Sequence, residues 1–413
     1  MAYILALIPN IFAACGVPTT ATFAAVALSS GIVCILVGLL SDYSIGMAPG
    51  VPTATIVSYT ICLKMGYSFE SALAMIFIAS VLFLLITLLG LRKRILDEIP
   101  LQLKLAIGIG IGFFLIFIGL QDASIIVSNP TTLVSIGNLA SPAVLLALIG
   151  ILIVFILYIK KVRGALLLAL IITVIIGLIM GLFGLSGDLL PSISSNLVST
   201  TVDFSSFGLF LKGFNNLLIN PLDFILILLS YLFVSFFDAT GSLISFANYC
   251  GFTDSDGEIK GIENVFLVDS LGSVIGSVFG VSTLTAFAES SSGIEAGGKT
   301  AFVPVIVGIF FILSIFISPL ILSLFTSAVT CEILIMIGIL MMIQLKDVDY
   351  SSFSSVAPVF VTIIMTVLGY SIPIGISFGF ITYTLTRVLE KKKVSKLVWV
   401  LTVIFLLYLI FGL

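Results

Sequence analysis

Two carboxylates stand where an apolar sequence has least use for them. Asp238 lies inside YLFVSFFDATGSLISF, and Glu289 lies inside VFGVSTLTAFAESSSGIEAGG. A charge at the centre of a bilayer costs roughly 2.5 to 3.5 kcal/mol on insertion scales, so an acid kept at that depth marks a functional site or a buried partner. No Lys or Arg falls at matching depth beside either acid. Without a cation nearby the ionised form is disfavoured, and both acids become candidates to take up a proton. Asp269, near the end of another apolar run, is a third proton-coupling candidate, with a structural role equally open. Carboxylates also accept hydrogen bonds from N–H donors, and Phe236, Phe237 and Phe287 flank the two acids with flat apolar faces.

Other chemistries find little support. The 413 residues contain no histidine, and Cys15, Cys34, Cys62, Cys250 and Cys331 are scattered without CxxC spacing. Common zinc sites, imidazole bases and a nucleophile with an evident base are all missing, so no metal, cofactor or catalytic residue is expected and the chain does not read as an enzyme. There is no basic patch for nucleic acid. The run AIGIGIGF lacks dinucleotide-fingerprint spacing, and Gly108 and Gly112 read as a close helix contact. Gly272, Gly276 and Gly280, four residues apart, read the same way.

The elements that must carry these acids are membrane spans. The chain is 60% hydrophobic and 9% charged, with a mean hydropathy of +1.35. Apolar stretches long enough to cross about 30 Å of hydrocarbon recur between short polar breaks. They fall at 2–15, 20–40, 45–63, 69–91, 101–120, 142–159 and 164–184, and then at 222–248, 262–280, 281–297, 300–324, 327–345, 353–369 and 371–389, with an apolar tail at 397–413. A cytoplasmic N-terminus leaves only Lys64 and Lys212 of the 17 Lys and Arg on the far side, the asymmetry that the positive-inside rule describes. Seven spans are an odd number, so the second seven enter from the opposite side. The expected fold is an all-α polytopic membrane protein of fourteen spans in two inverted repeats, a recurring plan of secondary transporters.

The third and tenth spans are irregular. SIGMAPGVPTATIVSY loses two backbone donors at Pro49 and Pro52, with Gly50 between them. In the tenth, Val281, Thr283 and Thr285 alternate as an extended segment does, and a Ser-rich run that can start a half-helix follows. Broken backbone at membrane depth is tolerated where it lines a cavity, so these two spans, each third in its half, are the expected substrate site.

Long ordered segments then supply a resemblance: SDYSIGMAPG, MGYSFESALA, IPLQLKLAIGIGIGFFLIFIGLQDASIIVSNPTTLV, SFFDATGSLISFA, VDSLGSVIGSVFGVSTLTAFAESSSGIEAGGKTA and LGYSIPIGISFGFITY. Over nearly its whole length the chain resembles the nucleobase-cation symporter family, within the xanthine/uracil permease superfamily, and in particular its adenine, guanine and hypoxanthine permease branch. The resemblance implies a core domain (1–91 and 222–324) and a gate domain (99–184 and 326–389), joined by an extracellular linker at 185–221 and followed by a basic linker and apolar tail at 390–413. It implies a purine nucleobase held between the domains by Asp238 and Glu289, with Phe287, the backbone near Ala288, and the third span around Thr53 and Ala54 completing the pocket. Proton symport, a plasma-membrane location with the N-terminus in the cytoplasm, lipid contact and a possible homodimer follow as further expectations. Two features depart from the branch. Where it usually reads APGMGLNA this chain reads APGVPTAT, so Ala54 replaces an Asn, with Thr53 and Thr55 as the nearest polar substitutes. The first span, beginning at Met1, is short. A same-fold permease for uracil, xanthine or an anion is the alternative, although an anion site calls for cationic groups rather than two acids.

Overall fold

The computed structural model describes residues 1–41, 43–92, 98–185, 187, 189–194, 196–216, 221–250, 262–287, 290–295 and 297–411, with the backbone alone at 216, 237–250, 262, 291, 292, 295 and 411. The chain is mostly helical. Helix α1 (Ile4–Ala13) and α2 (Thr19–Leu40) precede a short strand β1 (Met47–Pro49), from which α3 (Val51–Thr55) starts and continues as a π-helix over Ile56–Lys64. Next come α4 (Phe69–Leu88), α5 (Leu101–Asp122), strands β2 (Ile126–Asn129) and β3 (Leu133–Ile136), α6 (Pro142–Ile159), α7 (Ala165–Leu182) and the single turn α8 (Phe210–Gly213). The second half holds α9 (Pro221–Cys250), α10 (Ile262–Phe279), β4 (Leu284–Ala286) and α11 (Ser290–Glu295). It ends with α12 (Phe302–Leu313), α13 (Ser318–Leu324), α14 (Ser327–Met342), α15 (Phe353–Leu368), α16 (Ile372–Leu389) and α17 (Lys396–Phe411).

Among the described residues, eight helical stretches are long and apolar enough to cross a bilayer, and Ile4–Ala13, Pro221–Phe236, Phe353–Leu368 and Lys396–Ile410 are shorter apolar helices. The protein is a multi-pass membrane protein. Proline and serine set several starts: Pro142 opens α6 at a position where its missing N–H costs nothing, and Ser68 and Ser371 accept the N–H of Ser71 and Ile374 at the heads of α4 and α16. Exposed Leu152, Ile156, Ile171, Ile175 and Ile179 line α6 and α7 on the side that lipid covers.

The helices pack as two groups. Helix α2 packs against α1, α10 and α12, and α4 against α8, α9 and α10. Helix α5 packs against α14, α15 and α16, and α6 against α7 and α14. Small residues allow the closest crossing. A Cβ on Gly112 of α5 would lie 2.7 Å from the Gly338 carbonyl of α14, and one on Gly338 would lie 2.5 Å from the Gly112 carbonyl, so two backbones touch there as Gly112 led us to expect.

One expectation needs adjustment, and two further features were not expected. Gly280 lies past the end of α10 in a left-handed turn, with φ of 90°, instead of extending the row of Gly272 and Gly276 along the helix. The turn sends the chain back on itself, and a Cβ on Gly276 would meet the Ser282 carbonyl of the returning strand. The segment 126–136, between two of the apolar runs, is a hairpin in which Ile126 pairs with Ile136 and Asn129 with Leu133. The Asn129 side chain accepts the N–H groups of Thr131 and Thr132 at 2.8 and 3.1 Å and so builds the turn locally. Arg92, one of the bases that a cytoplasmic N-terminus puts on the cytoplasmic side, is buried.

Candidate functional site

The two irregular spans meet. Strands β1 and β4 pair antiparallel, Met47 opposite Ala286, Ala48 opposite Thr285 and Pro49 opposite Leu284. The ladder runs on at both ends, with Gly50 N–H to the Thr283 carbonyl at 2.9 Å and Phe287 N–H to the Gly46 carbonyl at 3.1 Å. Pairing satisfies backbone groups that neither helix can satisfy at membrane depth. Cys34 of α2 secures one edge, its Sγ accepting from Met47 N–H at 3.2 Å and donating to the Met47 carbonyl at 3.1 Å. Gly46 N–H donates to Ser290 Oγ at the head of α11 at 3.1 Å.

Behind the ribbon lies a polar knot. Tyr231 of α9 accepts the Thr283 N–H at 2.7 Å, Thr283 Oγ1 donates to Thr53 Oγ1 at 3.0 Å, and Thr53 donates to the Gly50 carbonyl at 2.9 Å. Ser282 Oγ donates to the same carbonyl at 3.3 Å. Tyr231, Thr53 and Thr283 are all buried. One tyrosine thus ties together three elements: the third span, the tenth, and the helix whose backbone includes Asp238 two turns further on.

The expected site residues fall unevenly. Thr53 and Ala54 begin α3 beside the ribbon, and both are buried. Thr53 spends its hydroxyl on Gly50 and Thr283, and Thr55 donates to the Pro52 carbonyl at 2.8 Å, so both substitutes for the branch's Asn are engaged by the protein itself. Phe287 is buried at the end of the ribbon, with its ring edge-on to Tyr3 at 6.4 Å. The backbone of Asp238 lies within α9, but its side chain is outside the described residues, as are the Phe237 side chain and all of Ala288 and Glu289. The described chain places Thr53 and Ala54 at one end of the ribbon and Phe287 at the other, and α9, which bears Asp238, packs against both α3 and β4.

Asp269 has a different setting. Its Oδ2 lies 3.1 Å from Arg92 Nη1, and both side chains are almost wholly buried. The guanidinium sits 4.0, 4.8 and 5.9 Å from the ring centroids of Phe266, Phe83 and Phe236. This ion pair joins α10 to the end of α4, and the rings replace water around the cation.

Sequence reasoning passed over further groups. Glu332, within the apolar run of α14, is buried, with Oε2 accepting from Thr173 Oγ1 at 3.0 Å and Oε1 without a partner. An acid inside an apolar span was the signal available for it. Tyr59 of the π-helix donates to Asp122 at the end of α5 at 3.1 Å, and Asn10 of α1 donates to the Phe325 carbonyl at 2.8 Å and Thr330 Oγ1 at 3.2 Å. Lys64 donates to the Gly369 carbonyl. These contacts join the two packing groups.

A family model described as a permease family, of the xanthine/uracil permease kind, matches residues 1–411. The chain belongs to that permease family. It is accordingly a transport protein, not an enzyme, as the lack of histidine and of a nucleophile with a base led us to expect. Among similar permeases, the guanine/hypoxanthine permease PbuG of Bacillus subtilis is 38% identical over 95% of this chain and 87% of its own. A putative permease of Methanocaldococcus jannaschii is 36% identical over 100% and 92%, and the adenine permease AdeP of Escherichia coli is 32% identical over 100% and 90%. Among solved structures, the transmembrane domain of the cyanobacterial bicarbonate transporter BicA superposes with a TM-score of 0.63 over 91% of this permease and 94% of that chain. At 17% identity that likeness speaks for the fold alone.

Proposed function

We propose that this permease is a secondary active transporter that imports purine nucleobases, namely adenine, guanine or hypoxanthine, by proton symport across the cell membrane. The observation that carries the reading is the antiparallel pairing of residues 47–49 with 284–286, which brings the heads of two interrupted spans together where Tyr231 ties them to the helix bearing Asp238. The names of the adenine and guanine/hypoxanthine permeases to which the chain is similar agree with it. Asp238 and Glu289 accept hydrogen bonds from the base's N–H edge, and Phe287, Ala288, Thr53 and Ala54 bound it. Asp238 and Glu289 are also the groups that exchange the transported proton.

In this reading the chain forms fourteen spans in two inverted repeats with the N-terminus in the cytoplasm. The packing group of α1, α2, α4, α9, α10 and α12 corresponds to a core that moves against the gate formed by α5, α6, α7, α14, α15 and α16. Thr53 and Thr55 already donate to the Gly50 and Pro52 carbonyls, and the edge contacts come from the eighth and tenth spans. The test is uptake of labelled adenine, guanine, hypoxanthine, xanthine and uracil by cells lacking their own nucleobase permeases. Saturable purine uptake, lost in well-inserted Asp238→Asn and Glu289→Gln, supports the reading. Uptake of uracil or xanthine alone replaces the substrate class, and no uptake of any base refutes it.

A further inference from the structure

We propose that Thr285 is a substrate-binding residue whose side-chain hydroxyl hydrogen-bonds the ring edge of the bound base. This rests on the nucleobase reading above and adds to it a group that composition and resemblance did not single out.

Thr285 is the middle residue of β4, and its cross-strand neighbour is Ala48. A strand alternates its faces, so Thr285 shares a face with Thr283 on one side and Phe287 on the other. The two hydroxyls on that face are treated differently. Thr283 donates to Thr53, and its N–H is held by Tyr231. Thr285 is 6% exposed, and its Oγ1 is buried with no hydrogen-bond partner. The Ala48 side chain opposite supplies a methyl and nothing polar.

A threonine hydroxyl usually finds a backbone carbonyl three or four residues back in a helix, as Thr22, Thr362 and Thr366 do here. A strand offers no such carbonyl, so this hydroxyl depends on a group from elsewhere. Burying an unpaired hydroxyl is unfavourable, and a valine of the same shape fits an apolar strand without that cost. Ser30, Thr60, Ser80, Ser206, Ser230 and Ser235 also bury hydroxyls without a partner, but of these described residues Thr285 alone lies in the β1–β4 ribbon, where a ligand held at the two interrupted spans can reach it. Its position in the ribbon, between the Thr283–Thr53 knot and buried Phe287, is where the proposed base meets the tenth span. A hydroxyl both donates and accepts, which suits ring nitrogens that alternate between N–H and lone pair.

The experiment compares wild type, Thr285→Val and Thr285→Ser, purified in detergent and also expressed in permease-deficient cells. Two readouts separate a ligand contact from a structural one. Without ligand, Thr285→Val should melt at or above the wild-type temperature, because it removes an unpaired buried hydroxyl. In transport, Thr285→Val should raise KM roughly two- to tenfold, the loss of one neutral hydrogen bond, with its maximal rate kept, and Thr285→Ser should restore KM. The ligand probes, used by uptake and by thermal shift, are adenine, guanine, hypoxanthine, uracil and bicarbonate. A Thr285→Val protein that melts well below wild type, or that matches its KM and ligand-induced shifts, overturns the assignment. A wild type shifted by uracil or bicarbonate and by no purine overturns the nucleobase import reading for purines, while loss of that shift in Thr285→Val keeps the hydroxyl in the site. A wild type shifted by no probe refutes the nucleobase reading, and the ligand-free melting comparison still decides whether the hydroxyl is structural.

Discussion

The Arg92–Asp269 pair gives the strongest single prediction about stability. Both partners are almost fully buried at 3.1 Å, and three phenylalanine rings surround the cation. Removing one member leaves an uncompensated charge out of water, which costs about 3 to 5 kcal/mol, whereas replacing both by apolar residues of similar volume is often neutral or stabilising. Arg92→Met and Asp269→Leu alone should each lower the unfolding free energy by about 3 to 5 kcal/mol. The Arg92→Met/Asp269→Leu double variant should recover most of that loss, an interaction between the two sites of several kcal/mol. Asp269→Asn should fall at the lower end, since an amide still accepts one N–H from Arg92. The assay is reversible unfolding in mixed micelles, run as a double-mutant cycle. Additive losses would refute the pairing argument. Uptake tests the rest: Asp269→Asn that reaches the membrane should keep the proton dependence of transport, because a carboxylate neutralised by an arginine is poorly suited to carry a proton. A variant as stable as wild type that has lost proton dependence would return Asp269 to the coupling path.

Other outcomes follow from the packing. Tyr231→Phe removes the acceptor of the Thr283 N–H and should cost about 1 to 3 kcal/mol of stability, measured by chemical unfolding, with faster hydrogen exchange confined to 46–50 and 282–287. Gly338→Ala should separate α5 from α14 and cost about 1 to 3 kcal/mol, whereas Gly181→Ala, where an added Cβ meets nothing within 4 Å, should cost little. Outside the spans, Lys392 and Ser354 hydrogen-bond the Glu390 carboxylate and hold it below its usual value of 4.5. A depressed carboxyl stabilises the fold above its unfolded value and loses that contribution as pH falls through the folded one. The melting temperature of wild type should therefore drop more on acidification below pH 4.5 than that of Glu390→Gln.

Much of the architecture was legible because lipid imposes one rule on every span. The runs at 101–120, 142–159 and 371–389 coincide with α5, α6 and α16 to within two residues, since proline and serine at their heads mark the starts. Pro49 and Pro52 announced the interruption of the third span, and the alternation through Thr285 announced the strand of the tenth. The hairpin at 126–136 is legible in IIVSNPTTLVSI, an alternating pair of runs around a turn, although neither run is long enough to cross a bilayer. Arg92 was not legible: counted by its place after α4 it looked like one more cytoplasmic base, and only the approach of α10 reveals its partner. The same holds for Thr53, whose hydroxyl reads as a ligand contact until Thr283 is folded against it. Glu332 was overlooked although the rule that singled out Asp238 applies to it equally.

The most direct test of the account is purine accumulation by proteoliposomes containing only the purified protein, with an inwardly directed proton gradient imposed. The account predicts accumulation of labelled adenine, guanine or hypoxanthine above its external concentration, collapse on adding a protonophore, and none with Asp238→Asn or Glu289→Gln. No purine accumulation by well-folded protein, or accumulation indifferent to the gradient, would contradict it.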